Sequence, residues 1–368
     1  MPTARIVVNI ADASSYDVRV GAEILSSLGE ELRKVNDSHT ALVVTDSQVG
    51  PLYLDAAKAA LVEAGYRTLD ITVPAGEHSK SLEVAGEIWA AMAELKLSRD
   101  VLVVALGGGV VGDLAGFIAA TYMRGVTFAQ VPTSLLSMVD SSVGGKTGIN
   151  LEQGKNLVGS FKQPVHVCAD TAVLATLTDR EWICGCAEIA KAAIVDSDEF
   201  FFWLTDAADA LAARDEGVVA EAIARSVIFK ANVVAEDETE SKGVRECLNY
   251  GHTLGHAIET LAGFGTFSHG EAVAEGMRFA ARLGAAVADT STDLVMAQDS
   301  LLDALGLHAL AWSAEPQDIL EAMKGDKKVR DGRLRFVVLR DVGLWEVVEV
   351  DDGLVLEHLT AWARSREV

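Results

Sequence analysis

Residues 101–112 read VLVVALGGGVVG, an apolar, β-branched run that is followed at once by a G-x-G-x-x-G pattern. Such a run is typical of a strand that is buried on both faces. Glycines at its end allow the backbone to approach a pyrophosphate, and the start of a following helix favours its charge. The stretch therefore predicts a strand–turn–helix unit suited to a dinucleotide, with a tightly packed glycine turn of no binding role as the alternative.

The flanking sequence repeats the strand–helix alternation on both sides of this stretch. Residues 41–45 (ALVVT), 68–73 (TLDITV) and 127–131 (TFAQV) read as further strands. Residues 53–64 and 82–95 have helical period and composition. Alternation of this kind predicts a mostly parallel sheet covered by helices. No acidic residue ends a strand about twenty residues beyond the glycines, where a ribose-binding acid is expected, so Asp46, after ALVVT, is the candidate for that contact.

The pattern of alternating strands and helices ends near residue 178, and we place a domain boundary there. Long, alanine-rich helical stretches follow, and strand character returns only at residues 335–339 (RFVVL). The expected organisation is an α/β domain over residues 1–178 and a mainly α-helical domain over residues 179–368. A substrate site is expected in a cleft between two such domains.

Charge and cysteine content restrict the classes of partner. The 368 residues include 31 Lys and Arg against 54 Asp and Glu, a formal net charge of −23. Such an acidic surface repels nucleic acid and anionic membranes, so neither is an expected partner. Four cysteines without a C-x-x-C pair, and an N-terminus without a signal peptide, favour a cytoplasmic protein. Any anionic ligand must then be met by a local cluster of basic side chains.

Residues 140–147, DSSVGGKT, provide one candidate for such an anion site. The final GKT is typical of a P-loop, but Asp140 occupies the position where the first P-loop glycine is required, so we reject an ATPase. What remains is a glycine-rich loop that presents Lys146. Lys155 and Asn156 follow closely, and two lysines with an amide suit an anion, although a solvated loop is the alternative.

Three of the eight histidines, His252, His256 and His269, lie close together in the sequence. His252 and His256 are spaced i, i+4 and share a helix face, as metal-binding pairs do. Thr253 stands where a zinc protease needs glutamate, which excludes that class. Glu188, three residues before Lys191 in an otherwise apolar helix, is the candidate carboxylate ligand, because a buried charge must be paired or coordinating. Three ordinary hydrogen-bonded histidines are the alternative.

Basic residues outside these loops complete the candidates for anion binding. Arg124, Lys230 and Arg245 lie beside the glycine-rich, helical and histidine segments, and residues 325–330 (GDKKVR) form a basic group in an acidic chain. Each alone is more often a surface charge.

Taken in order, these segments resemble the 3-dehydroquinate synthase family of the sugar phosphate cyclases over roughly residues 40–340. The motifs that carry the resemblance are GGGVVGDLAGFIAATYMRG, VPTSLLSMVDSSVGGKTGIN, GKNLVGSFKQP, CAEIAKA, LNYGHTLGHAIE, HGEAVAEGM and GDKKVRDGRLRFVVL. The resemblance implies a Rossmann-like α/β N-terminal domain, a mainly α-helical C-terminal domain and a homodimer. It also implies an enzyme that uses zinc, with cobalt as a substitute, and keeps NAD. The implied reaction converts 3-deoxy-D-arabino-heptulosonate 7-phosphate to 3-dehydroquinate and phosphate, a step of the shikimate pathway, with transient oxidation and reduction.

The family's functional residues transfer by position. Metal ligands are implied at Glu188, His252 and His269. His256 is then implied to contact substrate, and the metal-binding pair of His252 and His256 that the i, i+4 spacing suggests is corrected. The implied catalytic set is His256, Lys146, Asn156, Lys191 and Asp140. The implied substrate-binding set is Arg124, Lys230, Arg245, Asn249 and Lys327 or Lys328. Arg124 is implied to contact the substrate phosphate bound to the other subunit of the dimer. The implied NAD contacts are Asp46, Glu77, Lys80, Gly109, Asp113, Thr133, Ser134, Lys146, Lys155 and Thr176.

Three other functions remain as alternatives. An amino-dehydroquinate or valiolone-type cyclase would use the same cofactors on another sugar phosphate, although Arg245 and Asn249 fit the dehydroquinate pattern. A metal-dependent polyol dehydrogenase shares the glycine loop and the helical metal domain but has no need of the lysine loops. A non-enzymatic metal-binding protein leaves those lysines unexplained.

Overall fold

A computed structural model describes residues 3–10, 15–263, 265–325 and 333–366. The strands are β1 Ala4–Val8, β2 Tyr16–Gly21, β3 Thr40–Asp46, β4 Arg67–Val73, β5 Val101–Gly107, β6 Thr127–Pro132, β7 Lys146–Leu151, β8 Gly154–Phe161, β9 His166–Asp170, β10 Leu334–Asp341 and β11 Leu344–Val350. The α-helices are α1 Leu28–Arg33, α2 Gly50–Glu63, α3 Leu82–Glu94, α4 Gly109–Thr121, α5 Asp179–Asp196, α6 Asp198–Ala212, α7 Glu216–Glu236, α8 His252–Ala262, α9 His269–Val287, α10 Thr292–Ala304, α11 Pro316–Lys324 and α12 Asp352–Arg364.

Within the described residues, seven strands form one sheet in the order β1-β2-β9-β6-β5-β3-β4. All neighbouring pairs are parallel except β1 with β2. Alternate residues of β5 enter opposite cores, since Val103 packs in one apolar cluster whereas Leu102 and Val104 pack in another. Burial on both faces explains the continuous apolar run in the sequence, and the predicted α/β fold is confirmed.

The chain divides into two compact units that do not coincide with two uninterrupted halves of the sequence. Unit 1 comprises Met1–Leu177 and Ile223–Thr239, and unit 2 comprises Thr178–Ala222 and Glu240–Val368. Helix α7 therefore starts in unit 2 and ends in unit 1. The functional division at residue 178 stays a prediction.

Unit 2 is mainly helical, as expected, and carries the hairpin β10–β11. Its core joins Leu254 of α8, Phe279 of α9, Phe336 of β10 and Leu359 of α12. Helices α8 and α9 come together at glycines, because a Cβ at Gly276 would lie 1.8 Å from the carbonyl oxygen of Gly251. Only glycine at position 276 permits this backbone approach.

Among the described residues, no helix has both the length and the apolar character that crossing a membrane demands.

His166, at the start of β9, gives unit 1 a measurable sensitivity to acid. Burial lowers the pKa of this residue from 6.5 to about 4. Between those values the unfolded chain binds a proton that the folded chain does not, so stability falls as the pH falls through this window. We expect the free energy of unfolding to lose about 2 kcal/mol between pH 8 and pH 5 from this residue. Imidazole NMR titration and urea unfolding of the parent and of His166→Gln would measure it, and a midpoint near 6.5 would contradict the prediction.

Candidate active site

Three side chains in unit 2 form a group with the chemistry of a metal site. Glu188 lies on α5, and His252 and His269 are the first residues of α8 and α9. The Nε2 atoms of His252 and His269 lie 3.7 and 3.6 Å from Oε1 of Glu188. One potential ligand atom from each residue lies within 4.8 Å of the others. Two imidazoles and a carboxylate are a frequent donor set of catalytic zinc, so these residues fit the ion that the sequence implies.

The electrostatics of this group also favour a cation. Burial by itself lowers the pKa of His269, but the neighbouring carboxylates of Glu188 and Glu259 outweigh it and raise the pKa to about 9. With no metal bound, the site therefore attracts a proton at neutral pH. A divalent cation held beside Glu188 competes with that proton for the imidazole.

The residues before His252 and His269 explain why both helices begin at these histidines. Gly251, before α8, has φ +81°, a left-handed conformation that glycine adopts without strain. Ser268, before α9, accepts a hydrogen bond from the backbone N–H of Glu271, and the Glu271 side chain accepts from the backbone N–H of Ser268. This reciprocal capping box fixes the first turn of α9, and with it the backbone of His269.

His256 lies beside the metal group without belonging to the set around Glu188. Its ring centroid is 5.4 Å from that of His252 and 6.1 Å from that of His269. His256, Glu259 and His269 form a second group with ligand-type atoms close together. Glu259 was not among the residues predicted from the sequence, although its position seven residues after His252 puts it on the same helix face.

The other site candidates of unit 2 are basic or amide side chains. Lys191 and Glu188 form an ion pair in which each residue is only 3% exposed. Arg245 is 2% exposed, and its Nε lies 3.9 Å from Oε1 of Glu240. Asn249 ends the 3₁₀ turn Val244–Asn249, three residues before the first residue of α8. Lys327 and Lys328 lie outside the described residues.

In unit 1, Lys80 forms hydrogen bonds with residues assigned to NAD or substrate. It is 4% exposed, and its Nζ donates to Oδ2 of Asp113 at 2.7 Å and to Oδ1 of Asn156 at 2.6 Å. Burial raises the pKa of Asp113, and the positive charge of Lys80 opposes this effect. Asn150, which the sequence analysis did not single out, links the ends of the network, since it donates to Glu77 and accepts from the backbone N–H of Asn156, both at 2.8 Å.

The glycine turn after β5 has the predicted strand–turn–helix context. Gly109 is the first residue of α4, and a Cβ there would lie 3.1 Å from Oγ of Ser141. The hydroxyl groups of Ser134 and Ser137 form a hydrogen bond, with their oxygens 2.9 Å apart. The backbone N–H of Thr133 donates to the carbonyl of Gly107 at 3.0 Å. Small side chains and hydroxyl groups therefore surround the start of α4, where an anion is favoured.

The loop that resembles a P-loop leads into a strand. Lys146 is the exposed first residue of β7, and Lys155 is the second residue of its partner β8. A P-loop would continue as a helix after the lysine, so the rejection of that class agrees with the fold. Asp140, in the π-helical turn before β7, accepts a hydrogen bond from Nζ of Lys230 at 2.8 Å through its Oδ1.

The remaining candidates of unit 1 lie at ends of elements. Oδ1 of Asp46 accepts from the backbone N–H groups of Gln48 and Val49, which orders the entrance to α2. Oγ1 of Thr176 lies 2.7 Å from the hydroxyl of Tyr53. Arg124 is exposed in a turn and has φ +66°, a strained left-handed conformation for a non-glycine residue.

Known proteins resemble the chain over most of its length. The family models for the N-terminal and C-terminal parts of 3-dehydroquinate synthase match residues 70–184 and 185–329. A 3-dehydroquinate synthase of Citrifermentans bemidjiense is 46% identical over 347 residues, which cover 94% of this chain and 96% of the relative.

Solved structures of related cyclases have the same fold. A 2-deoxy-scyllo-inosose synthase with carbaglucose-6-phosphate, NAD⁺ and Co²⁺ has a TM-score of 0.87 at 26% identity, and covers 97% of this chain and 99% of its own. A 2-epi-5-epi-valiolone synthase of Streptomyces hygroscopicus subsp. jinggangensis, with NAD⁺ and Zn²⁺, has the same score, identity and coverage. On these grounds the chain belongs to the 3-dehydroquinate synthase family.

Proposed function

We propose that the protein is a 3-dehydroquinate synthase, a carbon–oxygen lyase of the shikimate pathway and hence of aromatic amino acid biosynthesis. It converts 3-deoxy-D-arabino-heptulosonate 7-phosphate to 3-dehydroquinate and phosphate. The observation that carries this proposal is the three-donor group of Glu188, His252 and His269, in a chain 46% identical to a named synthase.

NAD and Zn²⁺, or Co²⁺ in its place, are the cofactors of the proposal, since related cyclases contain them. Glu188, His252 and His269 would hold the metal, and the residues around Lys80 and the glycine turn would hold NAD. When bound, the metal supplies a Lewis acid for substrate hydroxyl groups, and NAD supplies a reversible hydride acceptor.

The acidic and basic side chains of unit 1 have separate tasks in this proposal. Lys80 neutralises Asp113 and holds the side-chain oxygen of Asn156, which presents the amide nitrogen as a donor for substrate oxygens. Lys230 is held on Asp140, so its charge has a fixed position for an anion. Lys146 and Lys155 supply further positive charge from the β7–β8 hairpin.

The unit 2 residues bind and orient substrate beside the metal ligands. Lys191 is buried against Glu188 and supplies a positive charge within this group. Arg245 and Asn249 are assigned to substrate oxygens, as is Lys327, and His256 is assigned to proton transfer. Fixed donors of this kind hold a carboxylate and a phosphate in one conformation, which is the main requirement when one site performs several steps.

The proposal extends to assembly and location. We propose a cytoplasmic homodimer in which Arg124 of one copy reaches the substrate phosphate of the other. The exposure of Arg124 supports this assignment, because the side chain is accessible to a second copy. Sedimentation velocity would measure the mass of the assembly. We also propose that residues 1–178 form the NAD-binding domain and residues 179–368 the metal- and substrate-binding domain.

A direct assay tests the reaction. Purified protein loaded with Zn²⁺ and NAD should release phosphate from heptulosonate phosphate and form dehydroquinate in equal amounts. EDTA should abolish both, and added Zn²⁺ or Co²⁺ should restore them, because the donor group is empty after chelation.

The same assay distinguishes the alternative functions. Activity only on an amino sugar phosphate or another sugar phosphate would identify a different cyclase. Stoichiometric release of NADH would identify a polyol dehydrogenase. Metal-replete protein that releases no phosphate would refute the proposed synthase.

A further inference from the structure

Helix α8 carries a stripe of three polar side chains that faces the start of α9. His252, His256 and Glu259 are spaced i, i+4, i+7, and this spacing places them on one face of the helix. Glu259 reaches His269, with its Oε2 3.1 Å from Nδ1 of the imidazole. The Glu259 side chain is 13% exposed, so this contact is largely shielded from water.

The two histidines of the metal group have the same arrangement of ring nitrogens. Nδ1 of His252 lies 3.2 Å from the carbonyl oxygen of Tyr250, and Nδ1 of His269 lies 3.1 Å from Glu259. In both rings the opposite nitrogen, Nε2, lies less than 4 Å from Oε1 of Glu188. An acceptor at Nδ1 selects the tautomer that donates there and keeps the Nε2 lone pair for a metal.

We propose that Glu259 is a positioning residue for the metal site, which orients His269 and holds it in the Nε2-ligating tautomer. The inference rests on the proposed metal role of Glu188, His252 and His269. Tyr250 provides the equivalent contact to His252 through its backbone, so Glu259 is the partner that a side-chain substitution can remove. Carboxylates in this position also raise the basicity of the ligating imidazole.

The geometry favours this role over direct ligation by Glu259. An ion held by His256, Glu259 and Nδ1 of His269 would displace the hydrogen bond between that nitrogen and Glu259. His269 would then bind metal through both ring nitrogens if Glu188 also kept its ion. The arrangement with one ion and one orienting carboxylate keeps both the approach of His269 Nε2 to Glu188 and the contact of its Nδ1 with Glu259.

Metal affinity of the full-length protein, without substrate, tests the proposal. We expect Glu259→Ala to lower the affinity for Zn²⁺ and Co²⁺ by about 10- to 100-fold in competition with a chromophoric chelator. Glu259→Gln should lose less, since its amide oxygen can still accept from Nδ1. Thr260→Ala is the matched control, because Thr260 is the exposed neighbour whose hydroxyl donates to the backbone carbonyl of His256 at 2.8 Å.

The visible absorption bands of bound Co²⁺ provide a readout that simple destabilisation would not change. These bands should shift in Glu259→Ala and return towards the parent spectrum in Glu259→Gln. If the alanine variant does not fold, a several-fold loss of affinity in Glu259→Gln carries the test.

Three results would overturn the proposal in distinguishable ways. Parent affinity and an unchanged Co²⁺ spectrum in Glu259→Ala and Glu259→Gln would exclude a positioning role. Two ions per parent chain and one per Glu259→Ala chain would identify Glu259 as a ligand. A parent protein that binds no metal would remove the metal site itself, and the positioning role with it.

Discussion

Replacing His269 with alanine should lower the affinity of the protein for Zn²⁺ by about a hundredfold or more and abolish phosphate release. The substitution removes one of three proposed ligands and leaves Glu188 and His252. Structural zinc sites with four ligands bind with roughly 10–16 kcal/mol, so one ligand contributes about 3 kcal/mol, or about a hundredfold in affinity. Chelator competition measures the affinity, and the phosphate assay measures the activity.

His308→Ala is the control for this experiment. The side chain of His308 is 75% exposed, and its contact is with Asp303, outside the metal group. It should keep the metal affinity and activity of the parent. If His269→Ala kept one tightly bound zinc per chain, the ligand assignment would be wrong.

Gly276→Ala is the second substitution with a large expected effect, although it adds only one methyl group. Its Cβ would lie 1.8 Å from the Gly251 carbonyl oxygen and 3.1 Å from the backbone nitrogen of Gly255. Both contacts are with backbone, so no side-chain rotation relieves them. We expect α8 and α9 to separate locally, at a cost of about 3 kcal/mol in unfolding free energy. Because His252 follows Gly251 directly, metal affinity should fall as well.

Gly86→Ala is the same chemical change, but we expect it not to lower the free energy of unfolding. Gly86 lies inside α3, and a Cβ there would meet nothing within 4 Å. Alanine forms helices better than glycine, so this variant should gain about 1 kcal/mol or remain neutral. Urea unfolding and chelator competition on both variants would test the pair. A Gly276→Ala protein with parent stability would show that the helices have room to adjust.

The central strands of the sheet were predictable from sequence because their positions dictate their composition. β3, β5 and β6 are buried on both faces, so most of their residues are apolar. Strands β1, β2, β9 and β11 were not predicted. In β1, at the sheet edge, exposed and buried residues alternate, and β9 depends on distant partners. The sequence also predicted loops in place of the β7–β8 hairpin, because both strands contain glycine and their pairing is visible only in three dimensions.

In the candidate site too, features that follow from local spacing were predictable, whereas contacts between distant segments of the chain were not. The i, i+4 spacing correctly indicated that His252 and His256 share a helix face. It could not show that His269, from the next helix, would join His252 at Glu188, and this grouping was predicted only through family resemblance. Glu259 was within reach of the same spacing rule, but its partner lies on another helix. Asn150 was missed because its two contacts join separate segments of the chain.

The path of α7 limits how natural or laboratory recombination can divide this gene. The chain leaves unit 1 after Leu177, returns at Ile223 and leaves again after Thr239. A single exchange between two homologues near residue 178 would therefore join Asp140 of one parent to Lys230 of the other, although the two side chains form an ion pair inside one unit. Chimeras that also transfer Ile223–Thr239 with the N-terminal part preserve this pair, so inheritance of function should follow spatial units rather than contiguous halves.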